Sequence, residues 1–176
     1  RTRARYHALQ MAVNRPFKNG LLLKGAYTWG KAMNETDDDG WAQVTWSQPS
    51  QQPRNYAKAG YDRTHIFQMG FLYELPFGKD KSGPLAAAVK DWQINGIYSF
   101  YSCTPFSIGG DNTALDQRSG FQSIQQIAEI QRVGSPGPGE VYYSPASFAQ
   151  PGAAWGNTGR NFLRGPSVWN VDLGLF

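Results

Sequence analysis

The acidic stretch NETDDDGW, residues 34–41, is the first place in the chain whose side chains could do chemistry. Glu35, Asp37 and Asp39 alternate before a glycine, as in the first half of a calcium-binding loop. The second half does not follow, because the twelfth position counted from Glu35 is Trp46 where such a loop needs a bidentate carboxylate. We therefore expect a solvated acidic loop with no fixed metal site, in which these three acids are candidates for contact with a cation or ligand.

Two further polar clusters could suggest catalysis or phosphate binding. YDRTH (61–65) groups Asp62, Arg63 and His65, and GNTGRNFLRG (156–165) is glycine-rich with two arginines. The second cluster lacks the lysine and the following helix of a phosphate-binding loop, so a structured turn is expected there. For the first we expect an ion pair at the mouth of a strand.

Enzyme signatures are missing, since the chain has no GxSxG, HExxH, CxxC or GxxxxGK[ST] pattern. We expect no catalysis and no cofactor. The remaining enzyme hypothesis takes residues from separate loops and would be tested by changing His65 or Asp62.

Composition favours a β protein. The 176 residues can bury one sizeable core, and 14% aromatic residues with 20 Gly and 11 Pro indicate strands and turns. A formal charge of +4 without a basic stripe of interleaved aromatics argues against nucleic acid as a partner. The single cysteine, Cys103, excludes an intrachain disulfide framework, and no apolar run reaches the roughly 18 residues of a membrane helix.

Alternating polar and apolar residues predict five strands, each about as long as the 9 to 11 residues of a membrane-crossing β-strand. They cover residues 6–15, 21–31, 64–75, 92–102 and 168–176. Their polar positions should face the lumen of a barrel: Gln10, Lys24, Thr28, Gln68, Asn95 and Ser99.

The connections alternate in length, as they do between the short periplasmic turns and long extracellular loops of outer-membrane barrels. A tight turn follows the first strand and about thirty polar residues follow the second. Residues 83–91 could form a turn or two of helix, and 107–160, rich in Gly, Pro, Ser and Gln, is expected to be loop.

Two architectures explain this alternation. An antiparallel, up-and-down transmembrane barrel would turn the apolar face to lipid, whereas a soluble β-sandwich would bury it against a second sheet. The sandwich would be a ligand-binding module, for example one that stacks sugars on Trp and Tyr. Strands of ten or more residues, with Trp and Tyr near their ends, favour the barrel.

Four phrases resemble one family as a set: YHALQMAVNRPFKNGLLLKGAYTWGKAMNE, YDRTHIFQMGFLYELPFGKDK, DWQINGIYSFYSCTPFSI and GNTGRNFLRGPSVWNVDLGLF. They are similar to the barrel of TonB-dependent outer-membrane receptors of the Oar-like branch, whose members usually begin with a carboxypeptidase-regulatory-like domain. The resemblance implies a Gram-negative outer-membrane barrel in contact with lipid, a plug, and uptake of an unknown small ligand powered by TonB, ExbB and ExbD.

Such receptors have about 22 strands. Residues 1–176, with five, are therefore expected to be a partial barrel that lacks the plug and the remaining strands. Cys103 stands where relatives usually carry glycine. In this interpretation the acidic loop is extracellular.

Overall fold

The structure, a computed structural model, describes residues 2–37, 44–77, 83, 91–113, 122–135 and 137–176. Its long strands are β1 (Ala4–Lys18), β2 (Leu21–Asn34), β4 (His65–Glu74), β5 (Gln93–Tyr101) and β10 (Val168–Leu175). Its two-residue strands are β3 (Ala57–Lys58), β6 (Pro105–Phe106), β7 (Gln125–Gln126), β8 (Phe148–Ala149) and β9 (Leu163–Arg164). Single turns of 3₁₀-helix cover Gln52–Asn55 and Pro145–Ser147.

The long strands form one sheet in the order β1-β2-β4-β5-β10, so neighbours in the sheet follow one another along the chain. The pairs β2–β4, β4–β5 and β5–β10 are antiparallel. All five predicted strands and the all-β, up-and-down arrangement are thus confirmed. Among the described residues the sheet is open, with β1 and β10 at its two ends.

The turn between β1 and β2 explains why this hairpin is tight. Asn19 and Gly20 both have positive φ, 54° and 75°. Two such residues make the type I′ turn that matches the twist of paired strands, and Asn-Gly is the preferred sequence for it.

Strand register sorts the side chains into two faces. Tyr27, Phe67, Phe100 and Trp169 are mutual partners across four strands and form an aromatic row on the apolar face. The row Leu23, Phe71, Gly96 and Leu173 lies four residues away along each strand on the same face.

The apolar face is not covered by a second sheet. Trp29 is 55% exposed, Trp169 66% and Leu173 69%. A soluble β-sandwich would bury these side chains, so that alternative is not supported.

Gly96 is the one glycine of β5 that the apolar face requires. A Cβ there would lie 2.7 Å from Leu173 Cδ2 and 2.8 Å from Phe71 Cε1. The two neighbouring side chains therefore lean over the glycine and fill the gap in the face, as aromatic residues do beside strand glycines.

The chain divides into two compact units. We call Ala8–Gly30, Arg63–Ser102 and Ser167–Phe176 the sheet region, and Arg1–His7, Lys31–Asp62 and Cys103–Pro166 the loop region.

The prediction that 107–160 is plain loop is wrong in part. In the loop region β7 pairs with β8, and bridges join Gly109 to Ser123 and Arg132 to Tyr143. Gly156 packs directly against the backbone of Ser123, and no larger residue would fit, because a Cβ there would lie 1.9 Å from the carbonyl oxygen of Ser123. Periodicity does not reveal such two-residue pairs, since they show no repeat.

The suggested helix at 83–91 falls mostly outside the described residues. Within the residues that the structure describes, no helix has the length and apolar character needed to cross a membrane.

Candidate functional site

The polar face of the sheet region carries a depression of about 500 Å³. One row across it is Lys24, Gly70, Ile97 and Asp172, in which each residue is the register partner of the next. The adjoining row is Leu22, Leu72, Asn95 and Gly174. Both rows line the depression, and Gly70 and Gly174 have no side chain to fill it.

The polar groups of the depression differ in what they already bind. Asp172 Oδ2 accepts a hydrogen bond of 2.7 Å from Asn170 Nδ2. Lys24 is exposed and has no hydrogen-bond or ion-pair partner among the described residues. A free cation at one end and a carboxylate at the other make the depression dipolar.

Register places five of the six predicted lumen residues on this polar face. Lys24 and Asn95 line the depression. Gln68 and Ser99 are partners in the next row, and Thr28 lies one row beyond. Gln68 Nε2 also donates to the hydroxyl of Tyr101.

The sixth, Gln10, lies exposed on β1 at the end of the sheet. That these six residues face a barrel lumen stays a prediction.

In the loop region, Asp37 is the centre of a hydrogen-bond network. Its Oδ1 accepts from the amide of Gly60 at 2.6 Å and from Asn34 Nδ2 at 2.9 Å. Its Oδ2 accepts from Arg160 Nη1 at 2.7 Å and from Asn161 Nδ2 at 2.9 Å. Each oxygen thus has two donors, which is the ordinary capacity of a carboxylate.

The environment of Asp37 lowers its pKa below the usual 3.8. Partial burial alone would raise the pKa, since it disfavours the charged form. Hydrogen bonds from Gly60, Asn34 and Asn161, together with the charge of Arg160, outweigh that effect. The carboxylate is therefore held ionised by its neighbours.

Arg160 joins this network to two other segments. Its Nη2 donates to the Asn34 carbonyl at 2.7 Å and its Nε to the Asn55 carbonyl at 3.3 Å. The Asn55 side chain in turn brackets Trp46, accepting from its amide at 3.0 Å and donating to its carbonyl at 2.8 Å. Trp46, which is 2% exposed, is thereby fixed as part of a small core.

Asp62 and Arg164 form a second charged pair in the loop region. Arg164 Nη2 donates to Asp62 Oδ2, while Asp62 Oδ1 accepts from the Ala32 amide at 2.6 Å. The other guanidinium nitrogen, Nη1, donates to the Cys103 carbonyl at 2.8 Å. The Asp62 side chain is 1% exposed, so its charge is compensated almost entirely by these groups. The sequence suggested an ion pair here, but the partner comes from 102 residues away.

Of the predicted acidic contact residues, Glu35 and Asp37 have separate partners. Glu35 pairs with Arg3 Nε at 2.9 Å, and this hydrogen bond lowers the pKa of the Glu35 carboxyl. Asp37 belongs to the Arg160 network described above, and Asp39 lies outside the described residues. The part of the chain that the structure describes holds no group of three or more His, Cys, Asp and Glu side chains suited to a metal. Contact of this loop with a ligand or cation stays a prediction.

His65 has a partner of its own. Its Nδ1 lies 2.8 Å from the Tyr27 hydroxyl, and the two rings stack with centroids 6.1 Å apart.

Sequence reasoning missed the residues that hold the loop region together: Arg160, Asn161, Arg164 and Asn55. The two arginines of GRNFLRG were visible, but their carboxylate partners lie more than 100 residues away. On the polar face, only the register shows that Asp172 shares a row with Lys24.

A family model described as "Outer membrane beta barrel domain" matches residues 1–176. The chain belongs to this family. No curated protein and no solved structure matches the sequence.

Membership of the outer-membrane barrel family relates the two faces of the sheet to the membrane. The protein is located in the outer membrane. Outer-membrane barrels turn an apolar face toward lipid, and the exposed row that ends in Trp169 has the aromatic and apolar character of such a face. This outer-membrane barrel domain needs no second sheet to cover that face, because lipid hydrocarbon is as apolar as the side chains themselves.

Proposed function

We propose that the protein containing this chain is a TonB-dependent receptor that takes up a ligand across the outer membrane without catalysing a reaction. The observation that carries the proposal is the register of β2, β4, β5 and β10, which separates an exposed apolar face from a polar one. A wall with lipid on one side and water or protein on the other requires this separation. The resemblance of four long phrases to TonB-dependent receptors supports the finer assignment.

In this proposal the polar face lines the lumen. Gln10, Lys24, Thr28, Gln68, Asn95 and Ser99 contact the plug or the passing ligand. The acidic segment with Glu35, Asp37 and Asp39 belongs to an extracellular loop, where ligand is first met.

The absence of catalysis is part of the same proposal. Two acids that could serve in a reaction are engaged in structural pairs: Asp62 with Arg164, and Asp37 with Arg160. His65 is hydrogen-bonded to the hydroxyl of Tyr27. These contacts support roles in holding loops and aromatic side chains in place.

Two measurements on the complete protein test the proposal. The purified receptor should bind the periplasmic domain of TonB, as measured by pull-down or calorimetry. In planar bilayers it should show no steady ion conductance, because a plug fills the lumen, and conductance should appear when the plug is deleted. Failure to bind TonB, together with steady conductance of the intact protein, would show an open porin.

A further inference from the structure

The depression on the polar face has features of a binding site for a small molecule. Its volume, about 500 Å³, lies within the 300 to 1,000 Å³ typical of ligand pockets. Apolar walls come from Leu22 and Leu72 in one row, and Ile97 lies between the two charges in the other. A few polar groups on such walls are the usual means of orienting a ligand.

The two charges of the depression are separated by a fixed number of strands. Lys24 on β2 and Asp172 on β10 belong to one row, with Gly70 on β4 and Ile97 on β5 between them. Neighbouring strands lie about 4.8 Å apart, so three intervals place their Cα atoms roughly 14 Å from each other. Because strand side chains stand roughly perpendicular to the sheet, a ligand that meets both charges should carry an anionic and a cationic group separated by a comparable distance.

The floor next to Lys24 suits an extended backbone. Gly70 leaves open space, since a Cβ there would find only one atom within 4 Å, the Gly96 carbonyl oxygen at 3.9 Å. Asn95, beside it, offers both a donor and an acceptor to a passing peptide group. Four extended residues span about 14 Å, which matches the Cα separation of Lys24 and Asp172.

We propose that this depression binds a short peptide of three to five residues, with its terminal carboxylate on Lys24 and its terminal ammonium on Asp172. The inference rests on the proposed uptake function, because it names the class of ligand that the lumen wall would meet. The opposite charges of Lys24 and Asp172 favour a peptide with free termini. The separation of these two residues sets the length of the peptide. Leu22, Leu72 and Ile97 provide contact for its side chains.

The test is calorimetric titration of the complete receptor in detergent with tetraalanine, which carries only its terminal charges. Tetraalanine should bind. Its amidated form and its acetylated form should each bind about tenfold more weakly, because each loses one charged hydrogen bond. Dialanine, too short to reach both charges, should bind as weakly as the blocked forms.

Variants of Lys24 and Asp172 test which end of the peptide each residue binds. Lys24→Gln should weaken binding of tetraalanine about tenfold and leave binding of the amidated peptide unchanged. Asp172→Asn should show the same pattern with the acetylated peptide. Gly70→Val should abolish binding by filling the floor, whereas Ala26→Val, on the same face outside the lining, should not change it.

Three results would overturn the inference: no binding of tetraalanine, equal binding of free and blocked peptides, or variant effects that do not depend on the blocked end. The blocked peptides need no variant, so a variant that fails to fold leaves the test intact. A receptor that binds TonB but not tetraalanine refutes this inference alone. A receptor that binds tetraalanine but not TonB refutes the proposed function.

Discussion

The sheet region and the loop region differ in which kinds of side chain they expose and which they bury. In the sheet region the large apolar side chains of β10, among them Trp169 and Leu173, are exposed. In the loop region the buried side chains are mostly polar. The buried polar residues are Asn34, Gln51, Asn55, Asp62, Gln122, Ser123, Ser147, Thr158, Arg160 and Asn161. The buried apolar residues are Ala32, Trp46, Ala59, Ile124 and Leu163.

The surroundings explain the difference. A sheet in lipid satisfies its backbone by strand pairing and can leave apolar side chains outside, since the medium is apolar. A segment in water that is rich in Gly, Pro and Ser has few apolar residues to bury. It must hold its shape with hydrogen bonds and ion pairs, which contribute little when exposed but are costly to break when buried. The two regions should therefore respond to different substitutions.

The largest effect is expected from unpairing Asp62 in the loop region. Arg164→Met should lower the free energy of unfolding of that region by about 3 to 5 kcal/mol, because it leaves a buried carboxylate without its partner. Hydrogen exchange of peptides within 31–62 and 103–166 would measure it. The control is Arg132→Met, which removes an arginine that stacks on Tyr142 and should cost at most about 1 kcal/mol.

A double variant separates charge from shape at the same place. Replacing the acid as well, in Asp62→Leu with Arg164→Met, should restore part of the loss, since no charge then remains buried alone. If the double variant were as unstable as Arg164→Met, the hydrogen bond from Ala32 to Asp62 would be the dominant interaction.

A charge on the apolar face of the sheet should have the next largest effect. Val171 lies on that face near the middle of β10, in the row with Tyr98 and Met69. Val171→Arg should destabilise the protein by about 2 to 4 kcal/mol when it is folded in lipid vesicles, because arginine would enter the hydrocarbon. Denaturant titration would measure this.

The neighbouring residue of β10 gives a matched control. Asn170 points to the polar face, so Asn170→Arg should change stability by less than about 0.5 kcal/mol. Equal effects of the two substitutions would contradict the assignment of the faces.

The sequence allowed the sheet to be predicted because its signal is local. Alternation with period two identified β1, β2, β4, β5 and β10, and the structure moves their ends by only a few residues. The longer observed β1 and β2, of 15 and 14 residues, include polar positions such as Arg5 and Asn34 that the pattern does not distinguish from loop.

The loop region could not be predicted, for a physical reason. Its contacts join residues far apart in the chain, such as Asp37 with Arg160, and a polar residue looks the same in sequence whether it is buried or solvated. The acidic loop was thus expected to be solvated, while Asp37 in fact accepts hydrogen bonds on both oxygens. Lys24 was predicted to face the lumen, but the row that it shares with Asp172 follows only from three successive registers.

A smaller effect should follow from removing one amide of the network. Asn161 has φ of 54° and its Nδ2 also donates to the Lys58 carbonyl at 2.8 Å. Asn161→Ala should destabilise the loop region by about 2 kcal/mol, through lost hydrogen bonds and a left-handed conformation that alanine adopts poorly. Asn161→Gly relieves the backbone cost and should recover about 1 kcal/mol of it. If the two variants were equally stable, backbone conformation would not contribute.

The smallest effect expected is the dependence of stability on pH that Asp37 gives the loop region. The pKa of Asp37 is lower in the folded chain than its usual 3.8, so the folded state holds this proton less tightly than the unfolded state. Its contribution to stability is therefore complete well above pH 4 and is lost as the pH falls through the lower, folded value. Because the carboxylate is partly exposed, solvent screening keeps the contribution modest.

Denaturant unfolding of the complete protein at pH 7, 4 and 3 would measure this dependence, with Asp37→Asn as the comparison. The wild type should lose more stability than the variant between pH 4 and pH 3, because asparagine has no proton to gain. Protection of the sheet-region peptides should change equally in both proteins. An identical pH profile for the two proteins would mean that Arg160 gains nothing from the charge of Asp37. The network would then act through hydrogen bonding alone, and the contrast between a lipid-facing sheet and an ion-paired loop region would depend on Asp62 and Arg164.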